Sequence, residues 1–332
     1  MSHDDWLLIE TLGYERRPTL VADGVRVRDW ANPLRAQREP GDVGRRILEV
    51  VRRCVETVSA ATCSTEESVV LGIPVRCAFG AVHGVQVWVG AADATPPPRR
   101  GAAAWDWDAD TQMAKHGPGL EELAWRRAPA EVRVTRTPPE VFGTMVGFDG
   151  RIDYMAMVRE MKVDGRWQGE VDMLGDDDRV RRFQMIARAN PVARRTQGLV
   201  HEVTDVREPR PDPALSMMRA VSRRARTGIG FVELGFGLIY EWPKPPPPPL
   251  ERWATERPDL HPDDAAAFLA VCGRMLKDDP EFTTDEAHRL RLRLRFAGTD
   301  WIEACAELVH NRSGQPGITG HGLLRVWPEA AE

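Results

Sequence analysis

His261-Pro262-Asp263-Asp264-Ala265-Ala266-Ala267-Phe268-Leu269-Ala270-Val271-Cys272-Gly273-Arg274-Met275-Leu276 is the stretch on which the fold turns. Proline suits the first helical position, where its missing N–H goes unused, and Asp263 and Asp264 put negative charge at the positive end of the helix dipole. Phe268, Leu269, Cys272, Met275 and Leu276 then recur at helical spacing as a buried stripe. Just downstream the period changes. Leu290, Leu292, Leu294 and Phe296 alternate with Arg289, Arg291, Arg293 and Arg295, the pattern of a strand with one face on a core. Two more β-rich runs follow at 299–311 and 317–327, and one precedes the helix at 230–242. A helix laid on an antiparallel sheet is expected, an α+β domain.

The same order of elements occurs earlier in the chain. Trp105-Asp106-Trp107-Asp108 opens a segment with a helix expected over 149–162, carrying Ile152, Met155, Ala156 and Met161. Strands are expected at 167–174, 180–189 and 198–206, so helix plus three-strand meander forms an internal repeat of architecture. Two proline-rich joints, 94–101 and 207–213, cannot continue helix or sheet and divide the chain into domains at 1–95, 101–208 and 214–332. In the first domain Val43, Ile47, Val50, Val51, Cys54, Val55 and Val58 form a helical stripe, with Arg45, Arg46, Arg52, Arg53 and Glu56 opposite. Strands are expected at 6–12, 69–79 and 85–90, with His83-Gly84 as the hairpin turn.

Composition narrows the function classes. The 332 residues are 42% hydrophobic and 29% charged, normal for globular domains, and a net charge of −5 offers no general basic face for nucleic acid. Arg219, Arg223, Arg224 and Arg226 crowd one segment, which reads as a solvated helix face. Five scattered cysteines (Cys54, Cys63, Cys77, Cys272, Cys305) include no C-x-x-C pair and read as free thiols in a reducing compartment. His3, Asp4 and Asp5 stand where a secretion signal would be basic, and no apolar run is long enough to cross a bilayer. The expected location is the cytoplasm, without membrane insertion.

Four of these segments carry a family resemblance. His261-Pro262-Asp263-Asp264 resembles the opening of the last helix of a PAS domain, and Gly298-Thr299-Asp300-Trp301 resembles the turn between its next two strands. Gly198-Leu199-Val200-His201-Glu202-Val203-Thr204-Asp205-Val206 is similar to a closing PAS strand, and Trp105-Asp106-Trp107-Asp108 to an opening one. The first domain resembles a shortened GAF domain or a divergent PAS domain. The whole, with its start at Trp6-Leu7-Leu8-Ile9-Glu10-Thr11-Leu12-Gly13, resembles a mycobacterial group of sensor-only GAF-PAS-PAS proteins. That resemblance implies three tandem sensor domains, each an antiparallel sheet flanked by helices.

No motif for chemistry stands out. Phosphate-loop, cyclase and histidine-kinase signatures are missing, and Gly228-Ile229-Gly230-Phe231-Val232-Glu233 fails as a dinucleotide fingerprint because Glu233 takes the third glycine's place. His310 and His321 are expected as an ordinary exposed pair across a turn at 313–317. The 149–162 helix lacks the histidine of a haem-binding PAS domain, and the flavin and cyclic-nucleotide signatures are missing too. No catalytic residue, cofactor or metal is assigned. Two features suit protein partners: the polyproline run with Pro245, Pro246 and Pro247, and a connector helix over 214–225 presenting Leu215, Met218 and Val221. The expectation is a non-enzymatic cytoplasmic sensor or scaffold that binds unidentified signalling proteins, or a small apolar ligand, and relays a signal through domain contacts. With the last strand so near Glu332, output is expected from a partner. The alternative is a carrier with one apolar pocket.

Overall fold

The computed structural model describes residues 5–13, 17–35, 42–277, 287–310 and 320–329, and the expected turn at 313–317 lies outside them. Three antiparallel sheets carry most of the described secondary structure, with few helices. They fall into two compact units, one made of 1–135 with 161–210 and the other of 136–160 with 211–332.

The first unit begins with β1 (Leu7–Glu10), β2 (Thr19–Asp23), β3 (Arg26–Ala31), α1 (Asp42–Thr57), β4 (Ala61–Ser64), β5 (Ser68–Arg76) and β6 (Val82–Ala91). Their sheet runs β3-β2-β1-β6-β5-β4. α1 lays Ile47, Val50, Val51 and Cys54 on Leu7, Ile9, Val70, Val85 and Val87, as its stripe predicts. The helix comes close enough to β5 that a Cβ on Gly72 would collide with Val50 Cγ1. Arg46 departs from its expected outer position. It is buried and donates to Ser68 Oγ at 2.9 Å and to the Cys63 carbonyl at 2.8 Å.

The unit continues with β7 (Ala102–Asp108), β8 (Met113–His116) and α2 (Leu120–Ala124), and β9 (Thr135–Arg136) lies where the chain leaves it. After the chain returns, β11 (Arg166–Leu174), β12 (Val180–Asn190) and β13 (Arg195–Glu202) complete a sheet ordered β11-β12-β13-β7-β8. The face of the first sheet turned away from α1 packs on this second sheet rather than on a helix. Leu8, Leu12, Val21, Val75 and Cys77 share one core with Ala104, Ile186 and Leu199. Polar ties cross the same interface: Gln184 Nε2 donates to the Val21 carbonyl at 3.0 Å, and Arg188 pairs with buried Glu10 at 3.0 Å.

The second unit consists of α3 (Pro138–Phe142), β10 (Met145–Gly147) and α4 (Arg151–Glu160), then α5 (Pro213–Ser222), β14 (Gly228–Glu233), β15 (Leu238–Lys244), β16 (Asp259–Leu260), α6 (Pro262–Leu276), β17 (His288–Arg295), β18 (Ile302–His310) and β19 (His321–Pro328). Its sheet is ordered β15-β14-β19-β18-β17-β16. α6 buries Phe268, Val271, Cys272 and Met275 against Leu292, Leu294, Ala306, Leu324 and Val326, while Leu269, expected in that stripe, faces solvent. A hairpin rather than a helix follows Gly228–Glu233, so the glycines there cradle no phosphate. Numbered within each sheet as first to fifth strand, with β3 and the short β9, β10 and β16 set aside, all three sheets share the order second-first-fifth-fourth-third.

Candidate functional site

The first unit holds a buried cluster that grows out of the β5–β6 hairpin. Its turn is not at His83-Gly84, which lie inside β6, but at Cys77–Ala81. Cys77 N–H donates to the Ala81 carbonyl at 2.8 Å, Gly80 N–H to the Cys77 carbonyl at 3.1 Å, and Gly80 takes the left-handed φ of 81° that the reversal needs. Below the turn the register slips. Val75 pairs with Gly84 but Arg76 with Val82, leaving His83 as the extra residue of a β-bulge. A bulge re-aims the side chain it carries. Thr11 clamps it from β1's side, through N–H to the His83 carbonyl at 2.9 Å and Oγ1 to the Val82 carbonyl at 2.9 Å.

His83 Nε2 consequently lies 3.0 Å from Asp106 Oδ1 of β7, and Cys77 Sγ joins them, with one donor atom from each residue within 4.8 Å of the others. All three side chains are buried. Burial lowers the His83 pKa, but hydrogen bonds and charge from Asp106 and Cys77 outweigh it and raise the imidazole to about 9. Asp106 Oδ2, also buried, has no hydrogen-bond partner. The hairpin tip is held at the same place from outside: the Arg195 guanidinium sits 3.7 Å from the centre of the Phe79 ring and reaches Asp108 at 3.6 Å.

A second buried cluster occupies the unit built around β14 and β15. Glu241 pairs with Arg151 of α4 and with Arg219 of α5 at 3.0 Å, and Glu233 pairs with Arg159 at 2.9 Å. Tyr240 stands between them, its ring edge-on to Phe142 at 5.4 Å and its hydroxyl 3.4 Å from His321 Nδ1. Burial, then the charges of Arg159 and Arg151, hold His321 at about 4, so it is neutral. Burial likewise pushes Tyr240 up. His310 and His321 are therefore not an exposed pair: both are buried in the β18–β19 ladder.

The residues expected to meet partners all belong to this second unit. Leu215 is buried, whereas Met218 and Val221 are 38% and 75% exposed and are joined at the surface by Met217. The connector helix turns its Leu215–Arg219–Ser222 side inward because Arg219 is drawn to Glu241. Pro245 is exposed, Pro247 half-buried and Pro246 buried, so the proline run is not a uniformly solvated strip. Pro246 closes on Gly228, where a Cβ would stand 2.7 Å from its Cα.

The PAS-like residues of this unit meet one another. Asp264 accepts two hydrogen bonds from the Arg293 guanidinium at 2.9 Å each, and His261 stacks edge-on to Trp301 at 5.5 Å. Sequence reading missed the Cys77–His83–Asp106 cluster altogether. The signal was Phe79-Gly80, a better turn than His83-Gly84, which would have set Cys77 and His83 at the base of one hairpin.

Comparison with known proteins places residues 5–98 on a family model described as Rv3651-like, N-terminal. A crystal structure of an uncharacterized protein from Mycobacterium tuberculosis superposes with TM-score 0.76 at 21% identity, covering 99% of this chain and 97% of that one. The two share a fold. An RNA-binding light-oxygen-voltage receptor aligns at TM-score 0.26 and 11% identity over 69% of this chain and 95% of its own, too weakly to carry an argument. No curated protein matches.

Proposed function

We propose that this chain is a non-enzymatic sensor or scaffold, with a GAF-like domain followed by two PAS-like domains, which relays a signal by protein contact. The observation that carries this reading is the strand order second-first-fifth-fourth-third, repeated in all three sheets with a helical segment between second and third strands. That order is the one a PAS-type sheet has, and the meeting of His261 with Trp301 and of Asp264 with Arg293 supports the same reading in the last domain. In favour of protein contact stands the apolar outer face of α5, Met217, Met218 and Val221.

The alternative is a carrier for a small apolar molecule. Affinity capture from the native cell, paired with mass spectrometry of the gently denatured protein, separates the two. The sensor reading expects at least one protein in stoichiometric amount; a bound small molecule with no protein partner supports the carrier instead.

A further inference from the structure

We propose that Cys77, His83 and Asp106 form a structural zinc site that pins the β5–β6 hairpin of the first sheet to β7 of the second. A thiolate, an imidazole and a carboxylate are a borderline-soft donor set of the kind zinc takes. Ligands arranged tetrahedrally around zinc stand about 3.5 Å apart. The three donor atoms lie within 4.8 Å of one another and two of them already at 3.0 Å, so small side-chain rotations close the site.

Two further observations point to a cation. Asp106 is fully buried and its Oδ2 has no hydrogen-bond partner, although leaving a buried carboxylate oxygen unsatisfied is costly. An ion pair with His83 satisfies Oδ1 alone; a metal held by both oxygens satisfies the second and fills a fourth position. The bulge that aims His83 inward also breaks the β5–β6 ladder. Such an interruption makes sense where the redirected side chain has a ligand to hold. Burial of all three residues marks the site as closed and structural, not catalytic.

The full chain, purified without chelators, is predicted to carry about one zinc per molecule by elemental analysis. After exchange, cobalt(II) is expected to give the near-ultraviolet thiolate-to-cobalt band together with tetrahedral visible bands. Cys77→Ser should abolish the thiolate band, Asp106→Asn should weaken cobalt binding at least tenfold, and Cys54→Ser should change neither. The wild-type spectrum reads the site even if one variant fails to fold. The proposal is overturned by a metal content at background with no thiolate band, or by binding that survives both Cys77→Ser and Asp106→Asn, which marks an adventitious ion only.

Discussion

Glu241 is fully buried and pairs there with both Arg151 and Arg219. Removing one partner of a buried pair strands the other. Arg151→Met should therefore destabilise by about 2–3 kcal/mol in denaturant unfolding, less than for an isolated pair because Arg219 remains. Adding Glu241→Gln should recover about 1 kcal/mol or more of coupling; strictly additive effects would contradict the pairing. Two histidines set the acid limit. Burial, and then neighbouring arginines, hold His201 and His321 at about 4 in the fold, against about 6.5 when unfolded. Between those values the unfolded chain binds more protons, so this stability is present above about 6.5 and is lost as pH falls towards about 4, on the order of 3 kcal/mol per histidine at the limit. Unfolding measured from pH 7.5 down to 4.5 should show that decline, and His321→Gln should remove up to one proton from its slope. An unchanged slope would show that His321 is not buried neutral.

Elements were legible wherever one period ran uninterrupted, as in α1, α6 and β17. They were misread where a polar residue had a buried partner. Nothing in α5 announces that Arg219 goes inward to Glu241, so of the three residues expected together on one partner-facing side, Leu215 is buried while Met218 and Val221 are exposed. Leu215→Ala should accordingly cost about 2 kcal/mol, while Met217→Glu with Val221→Glu should change the melting free energy by about 0.5 kcal/mol or less. The β5–β6 hairpin failed to read for a related reason: one bulge residue moves the turn off His83-Gly84 and sends His83 to Asp106, far away in sequence. Gly80→Ala, forced to hold a left-handed φ, should cost about 1 kcal/mol by thermal unfolding, whereas His83-Gly84 as the turn would leave Gly80 tolerant.

At the scale of the whole molecule, proline-rich joints locate the three sheets but not the two compact units, because 136–160 packs with 211–332. Local composition carries no trace of that, since it depends on Arg151 and Arg159 meeting Glu241 and Glu233 across long loops. A fragment of residues 214–332 should therefore unfold without cooperativity, and joining 136–160 to 211–332 through a flexible linker should restore a sharp transition. Equal midpoints for the two would show that the segment contributes nothing. Whether this chain acts by protein contact is read from capture out of the native cell by wild type and by Met217→Glu with Val221→Glu. A stoichiometric protein partner is expected on the wild type and lost from the folded variant. An identical set of proteins on both, or none on either, would contradict it.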